Sequence, residues 1–414
     1  MNSNLEISNF GAIKNAKIEI KPFTILIGEQ AAGKSSIAKL ISIFNDFDSF
    51  QFDENNIFID FHKALKKYNI HNYLQDNTKI KYKSDFFEFE YTGEINFKPT
   101  PLFTQGLNNI SFLGKSEEEM KNFFENFAER VETEKYLELM EKFLINLDIK
   151  LIEKQIQNAE ILKRFSSSIY IPTERFLISI LNNSAIEFMN SSLTLPKSVT
   201  QFGTYYQKAK TELGKQYREQ HKKEIDLEID FLNVTFSNKN GEDVIKFDTK
   251  ELALQESASG YQSVIPLFLV MKYFSNKKTE AAGNKTFIIE EPELNLYPKT
   301  QNRLVSVLAK FANENNNNLI ITTHSPYILS SINNLLFAHQ IGNKMTDKEV
   351  EISKIIPKES WINAAKFSAY HIEKGKAKSI FDKKIGLIKE TELDSASEII
   401  NSSFDKLMNF YKQI

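Results

Sequence analysis

FTILIGEQAAGKSSIAKLISIF, residues 23–44, decides the fold. Its opening FTILI is an uninterrupted apolar run, the pattern of a strand buried on both faces, and SSIAKLISIF repeats apolar positions at helical spacing. Between them Gly28, Gly33, Lys34 and Ser35 keep the spacing G-x4-G-K-S. Strand, glycine-bearing loop and helix in that order make an anion cradle. Glycines let backbone N–H groups converge on phosphate oxygens, and the helix start adds a positive dipole end. The loop Gly28, Glu29, Gln30, Ala31, Ala32, Gly33, Lys34, Ser35 and Ser36 therefore reads as nucleotide-binding. Lys34 would bridge terminal phosphates as a mobile point charge, and the Ser35 hydroxyl would ligate Mg2+.

On the amino-terminal side, Leu5–Phe10 and Ala16–Ile20 alternate apolar and polar residues like a hairpin. On the other side, KIKYKSDFFEFEYTGEINF (79–97) alternates around a Thr-Gly turn and predicts antiparallel strands. Ser116 and Glu119 have capping-box spacing, and Met120, Phe124, Phe127 and Val131 repeat at helical intervals, so a helical arm follows. SSIYIPTERF (167–176) reads as a strand entering a loop, and 185–224 as mostly helical with a break at Pro196. IDFLNVTFS and DVIKF flank Asn240-Gly241, a pair suited to the positive dihedrals of a tight hairpin turn. Asp46 and Asp48 form a DxD just past the first helix, where surface charge is expected.

Two later strings supply acids and a histidine. In FIIEEPELNLYP (287–298) a short apolar strand ends in Glu290 and Glu291, at the strand end where open α/β sheets hold ligands. Strand alternation sends consecutive side chains to opposite sides, so the two acids take different roles: Glu290 in the Mg2+ shell, Glu291 polarising an attacking water as general base. In IITTHSP (320–326) His324 leaves a second apolar strand and would contact the γ-phosphate.

With 414 residues the chain is long enough for two or three domain-sized cores, or one large head with an insertion. Apolar residues at 41%, with 34 Phe and 15 Tyr, can fill a core of that size. Lys plus Arg (52) nearly balances Asp plus Glu (54), so nucleic-acid or membrane contact would need a local patch rather than a global field. Without cysteine there is no disulfide and no Cys-ligated metal. No apolar stretch approaches the ~20 residues that span a bilayer, and MNSNLEISNFG is not a signal peptide, so a cytoplasmic location is expected.

These strings resemble the ABC-type ATPase heads of the RecF, SMC and OLD (overcoming lysogenisation defect) groups. LEISNFGAIKNAKIEIKPFTILIGEQAAGKSS (5–36) is similar to their first hairpin and Walker A, FIIEEPELNLYP to their Walker B, and IITTHSPYIL to their switch-histidine strand. SASGYQS (257–263) stands in the place of their signature, Ser259 and Gly260 matching its serine and first glycine while Tyr261 replaces the second. The resemblance implies an α/β ABC-type P-loop ATPase head, with a mixed central sheet, flanking helices, an antiparallel β subdomain and a helical insertion. It divides the chain into head (1–45), insertion (46–165), Q-loop-like segment and helical subdomain (166–224), head with signature, Walker B and switch histidine (225–340), and a carboxyl-terminal β/α extension (341–414). It also implies ATP and Mg2+ as cofactors and a homodimer or higher homo-oligomer in which Ser259 reaches the partner's γ-phosphate. Glu290 replaces the usual Asp, leaving direct and water-mediated metal contact both open. No Q-loop glutamine is evident, and YIPTER offers Glu174 for the metal shell and Arg175 for a phosphate or a partner residue.

Within that group the EEPE and THSPY strings and AYHIEKGKAKSIFD (369–382) are most similar to compact anti-phage defence ATPases, those of the Septu (PtuA) and PARIS (AriA) systems. That similarity implies an ATPase that senses a phage protein or nucleic acid and controls a separate effector, a nuclease or toxin. The alternative is a RecF-like DNA-binding repair ATPase, for which Lys208, Lys210, Lys215, Arg218, Lys222 and Lys223 form a basic stretch diluted by Glu212, Glu219 and Glu224.

Overall fold

The computed structural model describes residues 3–46, 49–53, 56–100, 167–181, 195–221, 225–239, 241–248, 250–275, 285–314 and 316–389. The helical arm expected beyond Ser116 lies outside them, as do Asp48, Lys222 and Lys223.

The expected opening is present: β1 (Ser3–Phe10) and β2 (Ile13–Ile20) pair antiparallel, β3 (Phe23–Ile27) is wholly buried, and α1 (Lys34–Phe44) follows the glycine loop. After the small hairpin β4 (Phe50–Asp53) and β5 (Asn56–Ile59) and the helix α2 (Phe61–Lys67) come β6 (Leu74–Lys83), β7 (Phe87–Tyr91) and β8 (Ile95–Pro99). Read from sequence as part of an insertion, these three strands extend the head's own sheet, because β6 pairs with β1 from Asn4↔Lys83 to Phe10↔Leu74. Alternation explains the attachment: Ile80, Tyr82, Phe87 and Phe89 are buried in the same core as Leu5, Ile7 and α1. Asp46 is likewise buried, its carboxylate 2.6 Å from Lys67 Nζ on α2, and is not the surface charge its position suggested.

Five parallel strands form the centre: β9 (Ser167–Ile171), β14 (Lys285–Glu290), β15 (Asn318–Thr323), β3 and β16 (Phe367–Glu373), in the spatial order 9-14-15-3-16. Alternate residues feed two cores. Ile25, Phe287, Ile289 and Ile321 meet α5 (Ser259–Ser275), α6 (Pro298–Glu314) and α7 (Pro326–Lys344), whereas Leu26, Ile288, Ile320 and Ile372 meet α1. Strands filling both faces need continuous apolar runs, which is why these segments were legible. The segment expected as a carboxyl-terminal extension thus supplies a central strand: β16 lies against β3, and β17 (Lys376–Ser379) joins it to the β1–β2 side of the sheet.

A separate four-stranded antiparallel sheet, β10 (Asp226–Ile229), β11 (Val234–Lys239), β12 (Glu242–Phe247) and β13 (Lys250–Ala253), contains the expected hairpin, with Gly241 at φ 89° in its turn. Helix α4 (Lys197–His221), which follows the short α3 (Phe176–Leu181), is pinned to it by a buried polar cluster. Lys210 Nζ donates to both Asp243 oxygens (3.0 and 2.9 Å), Tyr206 Oη to one (2.7 Å) and Asn238 Nδ2 to the other (2.7 Å). Of the basic stretch on this helix, Lys210 is therefore interior and Lys215 pairs with Glu212, while Lys208 and Arg218 are exposed. No described helix is long and apolar enough to cross a membrane.

Candidate functional site

The parallel register sets Leu26, Thr322 and Glu290 side by side at the carboxyl ends of β3, β15 and β14. The chain therefore leaves all three strands at one edge, through Gly28, His324 and Glu291, the usual ligand edge of an open α/β sheet.

The glycine loop is shaped by its neighbours. A Cβ at Gly28, whose φ is 155°, would fall 2.1 Å from the Ile372 carbonyl oxygen, so β16 leaves no room for a side chain there. Gly33 has φ 104° and Ala31 φ 59°. Lys34 is only 4% exposed; its Nζ donates to the carbonyls of Gly28 (2.9 Å) and Glu29 (2.8 Å) and lies 3.3 Å from each ring nitrogen of His324. Burial holds the Lys34 ammonium below its usual pKa, and Glu291, Glu293 and Glu290 oppose that pull.

Glu290 ends β14 on the α1 side, 4% exposed, with Oε2 accepting from Thr173 Oγ1 at 3.2 Å. Its Oε1 is buried without a hydrogen-bond partner. A carboxylate oxygen in that condition is costly unless a cation joins it, and this is the feature that fits a magnesium ion. Burial, reinforced by Glu290, also keeps the neighbouring Tyr170 phenol protonated. Glu291 diverges from Glu290, but by a different route from the alternation expected: it lies just past the strand in a left-handed turn, φ 43°, its N–H donating to Thr322 O at 2.9 Å. The turn brings Glu291 Oε1 to 2.8 Å from His324 Nε2. The result is a run Lys34–His324–Glu291 along one wall of a cavity of about 500 Å3, which Ser35 and Ser36 also line.

Sequence reading missed three contributors. Glu293 Oε1 accepts from Thr323 Oγ1 (2.6 Å) and from the His324 N–H (2.9 Å), fixing the backbone that presents the imidazole. The EEPE string contained that acid, but nothing local showed which way it faced. Thr173 was adjacent to the chosen Glu174; Glu174 itself is exposed and does not line the cavity. Tyr73, in the turn just before β6, lines the cavity, 38% exposed, and a Cβ at Gly11 would come 2.7 Å from its ring.

Arg175 differs most from expectation. It is fully buried and touches neither the cavity nor the surface. Its guanidinium donates to four carbonyls: Glu290 (2.7 Å), Glu291 (2.7 Å), Pro172 (3.1 Å) and Ser263 (3.1 Å). Burial draws its pKa down to about 10, against the pull of Glu293, Glu290 and Glu291, so it stays cationic near neutrality.

The chain matches the family model described as AAA ATPase domain over residues 1–329. The chain belongs to that family. Comparison with curated proteins gives no match. Among solved structures, the chain is similar to the Smc head domain with an extended coiled coil bound to the C-terminal domain of ScpA, derived from Pyrococcus furiosus (12% identity, covering 97% of this chain and 98% of that one, TM-score 0.36). It is similar too to the SMC head domain from Thermotoga maritima (11%, 80% and 91%, TM-score 0.32) and to the recombination mediator RecF with ATP in the RecFOR pathway (12%, 92% and 99%, TM-score 0.33).

The fold of this AAA ATPase domain is a mixed central sheet with flanking helices and a separate four-stranded antiparallel sheet. Its signature-like segment stands apart from the phosphate loop. Ser259 is exposed at the start of α5, and neither it nor Gly260 lines the cavity. A Cβ on Gly260 would lie 2.8 Å from the Asn295 carbonyl oxygen, so this glycine is needed for contact with the loop after β14 in the same chain. Tyr261, in place of a second glycine, packs against the core with Leu296.

Proposed function

We propose that this ATPase-family chain binds ATP with Mg2+, hydrolyses it, and works as an ATP-driven dimeric switch. The observation that carries the reading is the Lys34–His324–Glu291 run at the phosphate loop, with Glu290, whose Oε1 is buried without a hydrogen-bond partner, near enough to act electrostatically on Lys34. Loop N–H groups from Gly28 to Ser36 and the start of α1 would hold the β- and γ-phosphates, with Lys34 turning from the loop carbonyls to the terminal phosphates. Ser35 and Glu290 would hold the magnesium ion, Glu174 contributing at most from its exposed position. Among the described residues no group of three or more His, Cys, Asp or Glu forms a metal cluster, so phosphate oxygens and water would complete the shell, as Mg2+ ordinarily allows. The ion would neutralise charge developing on the phosphates. Glu291 would take a proton as water attacks the γ-phosphorus and the bond to the β–γ bridging oxygen breaks, giving ADP and phosphate. His324, held by Glu293, would orient Glu291 and meet the γ-phosphate. Tyr73 offers a ring to the base.

Ser259 and Gly260 would complete the partner's site, offering a hydroxyl and helix-start N–H groups to its γ-phosphate. The exposure of Ser259, outside the cavity of its own chain's phosphate loop, supports a shared site. The biological role proposed is the sensor ATPase of an anti-phage defence system, acting on a separate nuclease or toxin. A RecF-like DNA-binding repair ATPase is the second reading, favoured by the exposed cations Lys208 and Arg218 on α4 and Lys376 and Lys378 on β17. Release of phosphate from ATP by the purified chain, stopped by chelation of Mg2+, tests the core reading; no nucleotide binding would sink it. DNA binding that weakens steeply with salt and with Lys208→Glu would favour repair, and its absence defence.

A further inference from the structure

The segment between Thr173 and Ser179 touches both halves of the proposed site, and it does so through polar groups that are otherwise hard to explain. Thr173 Oγ1 donates to the Glu290 carboxylate, and Arg175 ties together the Glu290 and Glu291 carbonyls and the Ser263 carbonyl of α5. Ser179 Oγ donates to Gln262 O at 2.8 Å. Pro266 explains that last bond: proline has no N–H for the carbonyl four residues earlier, so Gln262 O is released from the α5 ladder and must find another donor. The first turn of the helix that begins at Ser259 is thus anchored not by its own ladder alone but by Arg175 and Ser179.

The other end of the bracket is strained. A glutamate at φ 43° is strained and persists only where its surroundings over-determine it. The Glu291 carbonyl is held by the Arg175 fork and its N–H by Thr322 O. Burying a guanidinium with carbonyls alone as hydrogen-bond partners is an expensive way to fasten a loop, since an apolar contact would do so at lower desolvation cost. A planar fork with donors on three nitrogens does something an apolar side chain cannot: it fixes two chain segments at a set angle and distance.

We propose that Arg175 is a positioning residue that couples the first turn of α5, which carries Ser259, to the Glu290–Glu291 turn, so that engagement of Ser259 by a partner's nucleotide sets the base Glu291 in its working geometry. This rests on the ATPase reading above. Arg175 touches no substrate, and its effect is on turnover rather than on nucleotide affinity. Lys cannot span the same carbonyls, so Arg175→Lys keeps the charge and loses the bracket.

The experiment measures nucleotide affinity, kcat, KM and thermal unfolding for the wild-type chain and Arg175→Lys. The expected result is a folded variant binding ATP within about threefold of wild type, with kcat down by about 100-fold, the loss that a misplacement of about 1 Å produces, and KM little changed. A folded Arg175→Lys with wild-type kcat, or one whose loss lies in affinity alone, overturns the coupling. If the variant does not fold, hydrogen exchange on the wild-type chain decides: ATP added to chain diluted to the monomer slows exchange of the amides of residues 259–265 if the two turns are coupled, and leaves them unchanged if they are not. A wild-type chain that binds no ATP overturns the ATPase reading and this one with it, whereas normal wild-type turnover with an unaffected variant overturns the coupling only.

Discussion

At the scale of single residues, the site is governed by two buried charges, Lys34 and Glu290, and by Glu291 beside His324. Lys34 is the cation whose Nζ lies within 3.3 Å of His324 at the phosphate loop, so Lys34→Ala is expected to abolish measurable ATP turnover, with a loss of at least about 100- to 1000-fold of the size seen when one transition-state donor is removed. Phosphate-release kinetics check this, and unchanged turnover would reject the site. The two neighbouring acids separate by environment: Glu290 is buried with an orphan oxygen, and Glu291 faces His324. Glu291→Gln is therefore expected to bind ATP and fail to hydrolyse it, while Glu290→Gln raises the Mg2+ concentration needed for activity. If Glu290→Gln is dead and Glu291→Gln turns over normally, the roles are reversed. Gly28→Ala would drive a methyl into the Ile372 carbonyl, and a loss of about 1–3 kcal/mol in denaturant unfolding is expected as the loop or β16 shifts.

At the scale of elements, α4 and the antiparallel sheet are joined by the buried Lys210–Asp243 pair with Tyr206 and Asn238. Breaking such a pair from one side leaves an uncompensated buried charge, so Asp243→Ala, which strips Lys210 of its carboxylate, is expected to cost about 3–5 kcal/mol in urea unfolding, and Lys210→Met less, because Asp243 keeps Tyr206 and Asn238 as donors. Equal effects of the two would argue against a desolvated pair. The same geometry accounts for what the spacing of cations could not tell: Lys208, Lys210 and Lys215 look equivalent in sequence, yet helical phase turns Lys210 inward while Lys208 stays exposed. Likewise the apolar runs of β3, β14 and β15 announced a doubly covered sheet, but the pairing of β6 with β1 joins distant segments and left no local mark.

At the scale of the whole molecule, the phosphate loop and the signature-like turn of one chain do not share a cavity. ATP is therefore expected to convert monomer to dimer in Glu291→Gln, which holds the nucleotide without spending it; light scattering or sedimentation checks this. Ser259→Arg and Lys34→Ala, each inactive alone, should regain up to one active site per mixed dimer when combined, and failure of both tests would count against a shared site.

Sequence by itself determined the phosphate loop, the strands carrying the acids and histidine, the β hairpin and so the ATPase class, because each is written in contiguous residues whose spacing and chemistry are local. Tertiary structure alone decided that residues 74–99 and 367–373 belong to the central sheet, that Gly28 answers to Ile372, and that Glu293 holds His324. It also turned Arg175 from an expected contact to a phosphate or a partner residue into a buried bracket. Those outcomes depend on which distant segments pack together and which carbonyls lose their usual donors, and hydrogen-bond satisfaction in a closed core is a property of the assembled chain.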